Sequence, residues 1–340
     1  MELRSAIADY LEAFRGICVR PEQVLVGAGT EYLYGLLIQL LGFDRVYACE
    51  NPGYRKISQV FEAYGVRHRG ILLDEYGLSV QDLERSGADV VHVTPAHHFP
   101  TGITMPAARR YELLQWAMKG EGRYIIEDDY DSEFRMTGKP SPALFESDRS
   151  ERVIYMNTFT RSLASTIRVS YMILPEALLR RYRSRLSFYS CTVSTFEQYT
   201  LAKFIAEGYF EKHINRMRNA SRKKRNRLLE LIHESELRTA VTVLEKDAGL
   251  HFLLELRLNS DPDEIKQGLA REGIHVLSLD QYFVCPDMSR IPLLENADQK
   301  LVINYASIPW DRLEETVRKI ERACIELVHC SVNHSAKSLV

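Results

Sequence analysis

The sequence predicts an α/β fold in which a large, doubly wound, mostly parallel sheet domain is followed by a smaller α+β domain. Two observations carry that expectation. Up to Pro175, short β-rich runs alternate with segments whose apolar residues recur at helical spacing. Two of those runs also end in polar groups. Tyr124-Ile125-Ile126-Glu127-Asp128-Asp129-Tyr130 ends in carboxylates, and Val153 to Arg168 ends in hydroxyls and two guanidiniums, Arg161 and Arg168. Open α/β sheets present ligand-binding groups at the carboxyl ends of their strands. The pattern reads as a site for a ligand with a cationic nitrogen at one end and a phosphate at the other.

In chain order, Leu3, Ile7, Tyr10, Leu11 and Phe14 recur at helical spacing, and Gly16 stops that helix. Pro21 to Val26 reads as a strand leading into Gly27-Ala28-Gly29-Thr30, and Tyr32 to Leu41 as a helix. Strands are expected at Val46 to Cys49, His68 to Leu72, Val90 to Thr94 and Tyr124 to Ile126. Helices are expected between them at Tyr54 to Tyr64 and Ala107 to Met118. Past Pro175 the pattern changes to long helices, Glu176 to Leu186 and Val193 to Leu229. Strands follow within Val241 to Leu258, then a helix at Asp263 to Glu272, strands near Val276 and Val302, and a helix from Trp310. This organisation places a large domain at residues 1–210, a small C-terminal domain at 211–330, and a polar, frayed tail at 331–340.

A chain of 340 residues has room for such cores, and 45% apolar with 26% charged residues is an ordinary globular composition. A net charge of −2 argues against a general nucleic-acid or membrane binder. The six cysteines (Cys18, Cys49, Cys191, Cys285, Cys324, Cys330) contain no C-x-x-C pair, so reduced thiols are expected rather than disulfides or a zinc site. With no signal peptide and no long apolar segment, a cytoplasmic location is expected.

The stretches Glu127-Asp128-Asp129-Tyr130-Asp131-Ser132-Glu133-Phe134 and Tyr155-Met156-Asn157-Thr158-Phe159-Thr160-Arg161-Ser162-Leu163 resemble a known family. It is the aminotransferase-like domain of MocR-type (GntR superfamily) regulators, bacterial transcription factors carrying a class I/II aminotransferase domain behind a winged-helix DNA reader. The resemblance spans about residues 2 to 325. It implies the fold-type-I pyridoxal-phosphate-dependent transferase fold, pyridoxal 5'-phosphate as cofactor, an amino acid or amine ligand, and a homodimer. The chain opens at the family's Leu3-Arg4-Ser5-Ala6-Ile7-Ala8 helix, so the DNA reader and part of the N-terminal arm are expected to be absent. No membrane partner and no direct nucleic-acid contact by this chain are expected.

Each motif also has a plainer reading. Gly29 and Thr30 stand at a strand-to-helix turn, where glycine serves sterics or brings backbone N–H groups to an anion. The resemblance makes this the phosphate turn, with Glu31 contributing backbone only. Tyr54, in Asn51-Pro52-Gly53-Tyr54, is a core tyrosine or an aromatic laid against the pyridine ring. His97, in Thr94-Pro95-Ala96-His97-His98-Phe99-Pro100-Thr101-Gly102, is a loop histidine or a neighbour of that ring. Asp128 and Tyr130 open an acidic surface loop, or they hold the pyridine nitrogen protonated and bond the ring 3-oxygen. Thr158 and Arg168 suit phosphate oxygens; Arg168 is otherwise a surface arginine. The basic run Lys212 to Arg227 is expected to be a solvated helix face rather than a nucleic-acid patch.

Arg161 decides the expected chemistry. By the resemblance it stands where the family has its Schiff-base lysine, and a guanidinium stays protonated, so it neither forms that bond nor acts as a base. The nearby lysines Lys119, Lys139 and Lys203 lie outside the motif. The strand Lys300-Leu301-Val302-Ile303-Asn304 carries Val302 where the fold usually has an arginine for the substrate carboxylate. Two functions follow. One is a catalytically impaired module holding pyridoxal phosphate non-covalently together with an amino-acid effector. The alternative is a pyridoxal-phosphate-dependent aminotransferase in Lys-to-Arg form.

Overall fold

In the computed structural model the described residues are 1–135, 142–244, 249–257, 261–284 and 296–324. Lys139, Cys285, Cys330, the tail and part of the 241–258 stretch lie outside them. Helix α1 (Glu2–Arg15) buries Leu3, Ala6, Ile7 and Leu11 along one face. Gly16 ends it at φ +71, a left-handed conformation that glycine adopts without a Cβ clash. A 3-10 turn, Pro21–Gln23, replaces the expected start of the first strand. Proline presets the turn's φ, and the Gln23 side chain accepts the Arg20 N–H at 3.0 Å.

The large sheet contains β1 (Val24–Gly27), β2 (Val46–Asn51), β3 (Arg67–Asp74), β4 (Gly77–Leu78), β5 (Val90–Val93), β6 (Tyr124–Asp128), β7 (Val153–Thr158) and β8 (Ser170–Ile173). Its order is β1-β8-β7-β6-β5-β2-β3-β4. The run β7-β6-β5-β2-β3 is parallel, whereas β8 is antiparallel to both β7 and β1, and β4 to β3. Between the strands lie α2 (Thr30–Leu41), α3 (Arg55–Ala63), α4 (Val80–Arg85), α5 (Ala107–Lys119), α6 (Leu144–Ser147) and α7 (Phe159–Ser162), and α8 (Glu176–Arg185) follows β8. Leu37, Phe61 and Leu178 pack on one face of the sheet against Ile126, Ile154 and Met156. Leu113 and Trp116 pack on the other against Val91, Ile125 and Val153. Helices on both faces explain why β5 reads as one buried run rather than an alternating one.

The expected single helix from Val193 to Leu229 is two helices, α9 (Thr195–Ala206) and α10 (Tyr209–Glu234). Gly208, at φ +73, breaks the run between them. Phe210 and Ile214 at the start of α10 pack with α1, and Leu228, Leu231 and Ile232 near its end pack under the second sheet. That part of the chain holds α11 (Leu237–Ala240), β9 (Val241–Leu244), β10 (Phe252–Leu256), α12 (Pro262–Arg271) and β11 (Lys300–Ile303), with antiparallel order β11-β10-β9. The expected strand near Val276 does not form. The segment touches β11 through the Val302 N–H on the Leu277 carbonyl at 2.9 Å and one bridge at Ser278, then enters a 3-10 turn. Trp310 likewise opens a 3-10 turn, and residues 313–324 are helical.

The basic run on α10 is more than a solvated face. Arg218 donates to the Glu133 carbonyl at 2.9 Å, Lys224 to the Ala306 carbonyl at 2.9 Å, and Arg225 is buried. Arg216, Arg222 and Lys223 remain exposed. Among the described residues, no helix is long and apolar enough to cross a membrane.

Candidate functional site

The parallel strands β2, β5, β6 and β7 end on one edge of the sheet, delivering Asn51, Thr94, Asp128 and Thr158 to it. Because β1 is parallel to β7, its end brings Gly29 and the start of α2 to the same edge. β8 runs the other way and contributes its beginning, with Arg168 just before it and Ser170 opposite both Thr158 and Gly27. A cavity opens there, and Thr30, Glu31, Tyr54, Asp128, Tyr130, Thr158, Arg161 and Arg168 all line it. Eight residues proposed from scattered motifs thus share one wall.

At one end the cavity is an anion cup. Ser170 donates to the Thr158 hydroxyl at 2.9 Å, and the Thr160 N–H donates to the same oxygen at 3.2 Å. Gly29 sits at φ +97, and a Cβ there would lie 2.6 Å from the Arg168 guanidinium and 2.8 Å from Glu31 Oε2, so glycine keeps the cup open. Glu31 departs from its expected backbone-only role. Its carboxylate accepts from Arg168 at 2.8 Å and from Lys56. Partial burial pulls the other way, yet the Lys56 hydrogen bond and the Arg168 charge hold the Glu31 carboxyl below its usual range.

At the other end stands Asp128, 8% exposed. Its Oδ2 lies 3.5 Å from His92 Nε2, and its Oδ1 is buried with no hydrogen-bond partner. A buried acceptor left open on a cavity wall is a place for a ligand donor. Thr94 on the same wall gives its N–H and hydroxyl to Glu50 at 3.0 and 2.7 Å. Burial pushes the Glu50 carboxyl up to about 7 and His98, 3.6 Å away, down to about 3. The Glu50–His98 contact is therefore not an ion pair. Tyr54 and Phe99 meet edge to face, with centroids 5.9 Å apart.

His97 is not brought to this wall. Its Nδ1 lies 2.8 Å from Asp131 and 3.2 Å from the Tyr130 hydroxyl, so it stands behind Tyr130, and its ring packs tilted against His251 with centroids 4.7 Å apart. Burial, reinforced by Asp131, holds the Tyr130 hydroxyl protonated. A second cavity adjoins the first and shares Phe99, Tyr130 and Arg161 with it, and Val302, Asn304 and His251 complete much of its lining. Val302, on β11, lines this second cavity.

Sequence reasoning missed His92, Thr94, Phe99, Thr160, Ser170 and Lys56, all on the first cavity wall. His92 sits in an apolar strand and Lys56 in an amphipathic helix, where each reads as core or solvated surface. Only the placement of β5 and α3 beside the site reveals them. Behind the wall, buried Asp129 joins Arg15 at 2.9 Å, Tyr155 at 2.6 Å and Ser132 at 2.9 Å, tying α1 to the strand that carries Asp128.

Residues 1–320 match the aminotransferase class I and II family. The uncharacterized HTH-type transcriptional regulator YdeL of Bacillus subtilis is 41% identical over 323 residues, which are 95% of this chain and 67% of that protein. The probable rhizopine catabolism regulatory protein MocR of Rhizobium meliloti is 30% identical over 328 residues, 96% of this chain and 64% of that one. The chain thus spans about two thirds of the length of these regulators. Among solved structures, the kynurenine aminotransferase of Pyrococcus horikoshii, in complex with PMP, superposes with a TM-score of 0.79 at 23% identity, covering 96% of this chain and 80% of that one. The α-aminoadipate aminotransferase LysN of Thermus thermophilus, complexed with N-(5'-phosphopyridoxyl)-L-leucine, does so with a TM-score of 0.77 at 24% identity, covering 97% and 82%. An open buried carboxylate oxygen at one end and a glycine-lined hydroxyl and guanidinium cup at the other fit pyridoxal phosphate, the cofactor of this fold. The chain belongs to the aminotransferase class I and II family, with the pyridoxal-phosphate fold, and its regulator relatives are HTH-type proteins of the MocR kind.

Proposed function

We propose that the chain is a pyridoxal-phosphate- and effector-binding module of a MocR-type regulator, catalytically impaired because Arg161 stands at the lysine position. The observation that carries this reading is the pairing, in one cavity, of an open Asp128 oxygen with an arginine, and among the described residues lining that cavity the one amine is Lys56, which Glu31 holds. When bound, pyridoxal phosphate supplies an aldehyde that takes up amines and a ring that draws electrons.

The chain's own residues then have defined roles. Asp128, oriented by His92, places a negative charge where a protonated ring nitrogen is stabilised. Tyr130 offers a protonated hydroxyl beside it, and Tyr54 covers the ring face. Thr158, Ser170, Gly29, Thr30 and Arg168 hold the phosphate, with Glu31 yielding its grip on Arg168. Arg161 stays charged throughout, so it holds an anion but moves no proton. The site is completed in a homodimer, a reading supported by Phe188 and Phe196, which are 74% and 80% exposed.

The test is a pyridoxal phosphate titration followed by absorbance, before and after borohydride, on the protein and on Arg161→Lys. Saturable binding in both, locked by borohydride only in Arg161→Lys, is the expected result. Absence of binding in both proteins refutes the cofactor site. Locking in the unaltered protein, lost in Lys56→Ala, would instead make Lys56 the reactive amine and turn the reading toward a working aminotransferase.

A further inference from the structure

The second cavity carries an inference that rests on the effector-binding half of this reading and names the ligand class. We propose that Arg161 is the receptor for the carboxylate of a small monocarboxylic acid with a flat apolar body, held in that cavity.

Arg161 is the one cation that lines both cavities, and among the described residues no carboxylate lies within ion-pair distance of it. The other cations of the first cavity are already answered, because Glu31 takes both Arg168 and Lys56. Among the described residues lining it, the second cavity has no other positive group. Burial pushes His251 down to about 3, so it is neutral, and its Nε2 is held on the Pro100 carbonyl at 3.1 Å. β11 puts Val302 on the wall and Asn304 follows directly after it, while the strand's lysine, Lys300, lies beside Glu255 at 3.7 Å. The field in the cavity therefore favours an anion placed at Arg161, and a planar guanidinium meets a carboxylate with two parallel hydrogen bonds.

The rest of the wall limits what that acid is. Phe99 and Tyr282 stand edge to face at 5.4 Å, and Phe99 meets His251 at 5.1 Å, an aromatic rim suited to a flat apolar body. Tyr282 is fixed there from both sides, since its carbonyl accepts the Gly53 N–H at 3.1 Å and Asn51 accepts the Val284 N–H at 2.9 Å. Asp131, also on the wall, disfavours a second negative charge, so monoacids are preferred over diacids. In this geometry the ligand's anchor comes from α7, directly after β7, rather than from β11.

The experiment is calorimetric titration of the pyridoxal-phosphate-loaded protein with 3-phenylpropionate and with its neutral amide, at low and high salt. The acid is expected to bind at least about ten-fold tighter than the amide at low salt. Arg161→Gln should erase that preference, with pyridoxal phosphate affinity of the variant read separately by absorbance so that acid and amide are compared on equally loaded protein. Arg161→Lys should keep part of it, as a point charge without the fork. Because Arg161 is exposed, both variants are expected to fold, and a melting curve checks this. Equal binding of acid and amide, or an acid preference that survives Arg161→Gln, overturns the inference. An acid preference that depends on Arg161 in a protein that binds no pyridoxal phosphate would sink the cofactor reading and support this one.

Discussion

His92 Nε2 lies 3.5 Å from Asp128 Oδ2 on the buried side of the cavity, while Asp128 Oδ1 faces no partner at all. One oxygen is steadied by the protein and the other is open to a ligand. Asp128→Asn keeps the shape and removes the charge. A hydrogen bond to a charged group is worth about 1.5–3 kcal/mol, so pyridoxal phosphate affinity should fall roughly ten- to hundred-fold by absorbance titration. Unchanged affinity would remove Asp128 from the site.

Glu31 occupies the anion cup with its own carboxylate. Partly exposed ion pairs contribute only about 0.2–1 kcal/mol each. Glu31→Gln should therefore leave the melting temperature nearly unchanged while tightening inorganic phosphate binding by roughly two- to thirty-fold. Weaker phosphate binding in the variant would mean that Glu31 organises the cup rather than filling it.

Asp129 is the buried anchor for Arg15, Tyr155 and Ser132. Removing one partner of a buried charged pair costs about 3–5 kcal/mol. Asp129→Ala should destabilise the fold by that amount in urea unfolding, and the loss should exceed that of Glu31→Gln several times over.

Glu133 gives the fold a pH dependence. Burial, then the neighbouring Asp129 charge, pushes its carboxyl up to about 8. The Tyr10 hydroxyl donates to Oε1 at 3.3 Å, and Oε2 is buried without a partner. Because the folded state holds this proton above the ordinary carboxylate range, the contribution is full below about pH 4.5 and is lost as pH rises through about 8. Melting temperature should fall between pH 5 and 8, and Glu133→Gln, which keeps an acceptor for Tyr10, should flatten that decline. A decline of equal slope in the variant would assign it to other groups.

Phe188 and Phe196 present apolar rings to solvent on and beside α9. If they seat the partner copy, Phe196→Asp should shift the protein from dimer to monomer in sedimentation velocity and weaken pyridoxal phosphate binding with it.

Much of this was readable along the chain. The alternation of short strands and helices dictates a layered sheet. Asp128, Thr158 and Arg168 could be named in advance because their motifs resemble a known family's; polar groups at strand ends suit a ligand, yet by themselves they left an acidic surface loop and a surface arginine open. The broken helix at Gly208 was also visible in principle, since a glycine in a helical run is a stop signal as well as a tolerated residue. What only the tertiary structure decided concerns partners distant in sequence. Strand order β7-β6-β5-β2 sets His92 behind Asp128, and the approach of α3 to the start of α2 puts Lys56 on Glu31 and draws that carboxylate into the cup. Side-chain direction sets His97 on Asp131 and the Tyr130 hydroxyl, behind the wall that Tyr130 lines. Local periodicity encodes which face of an element is apolar. It carries no record of which element lies next to it, and the charge answering each polar group is supplied by that neighbour.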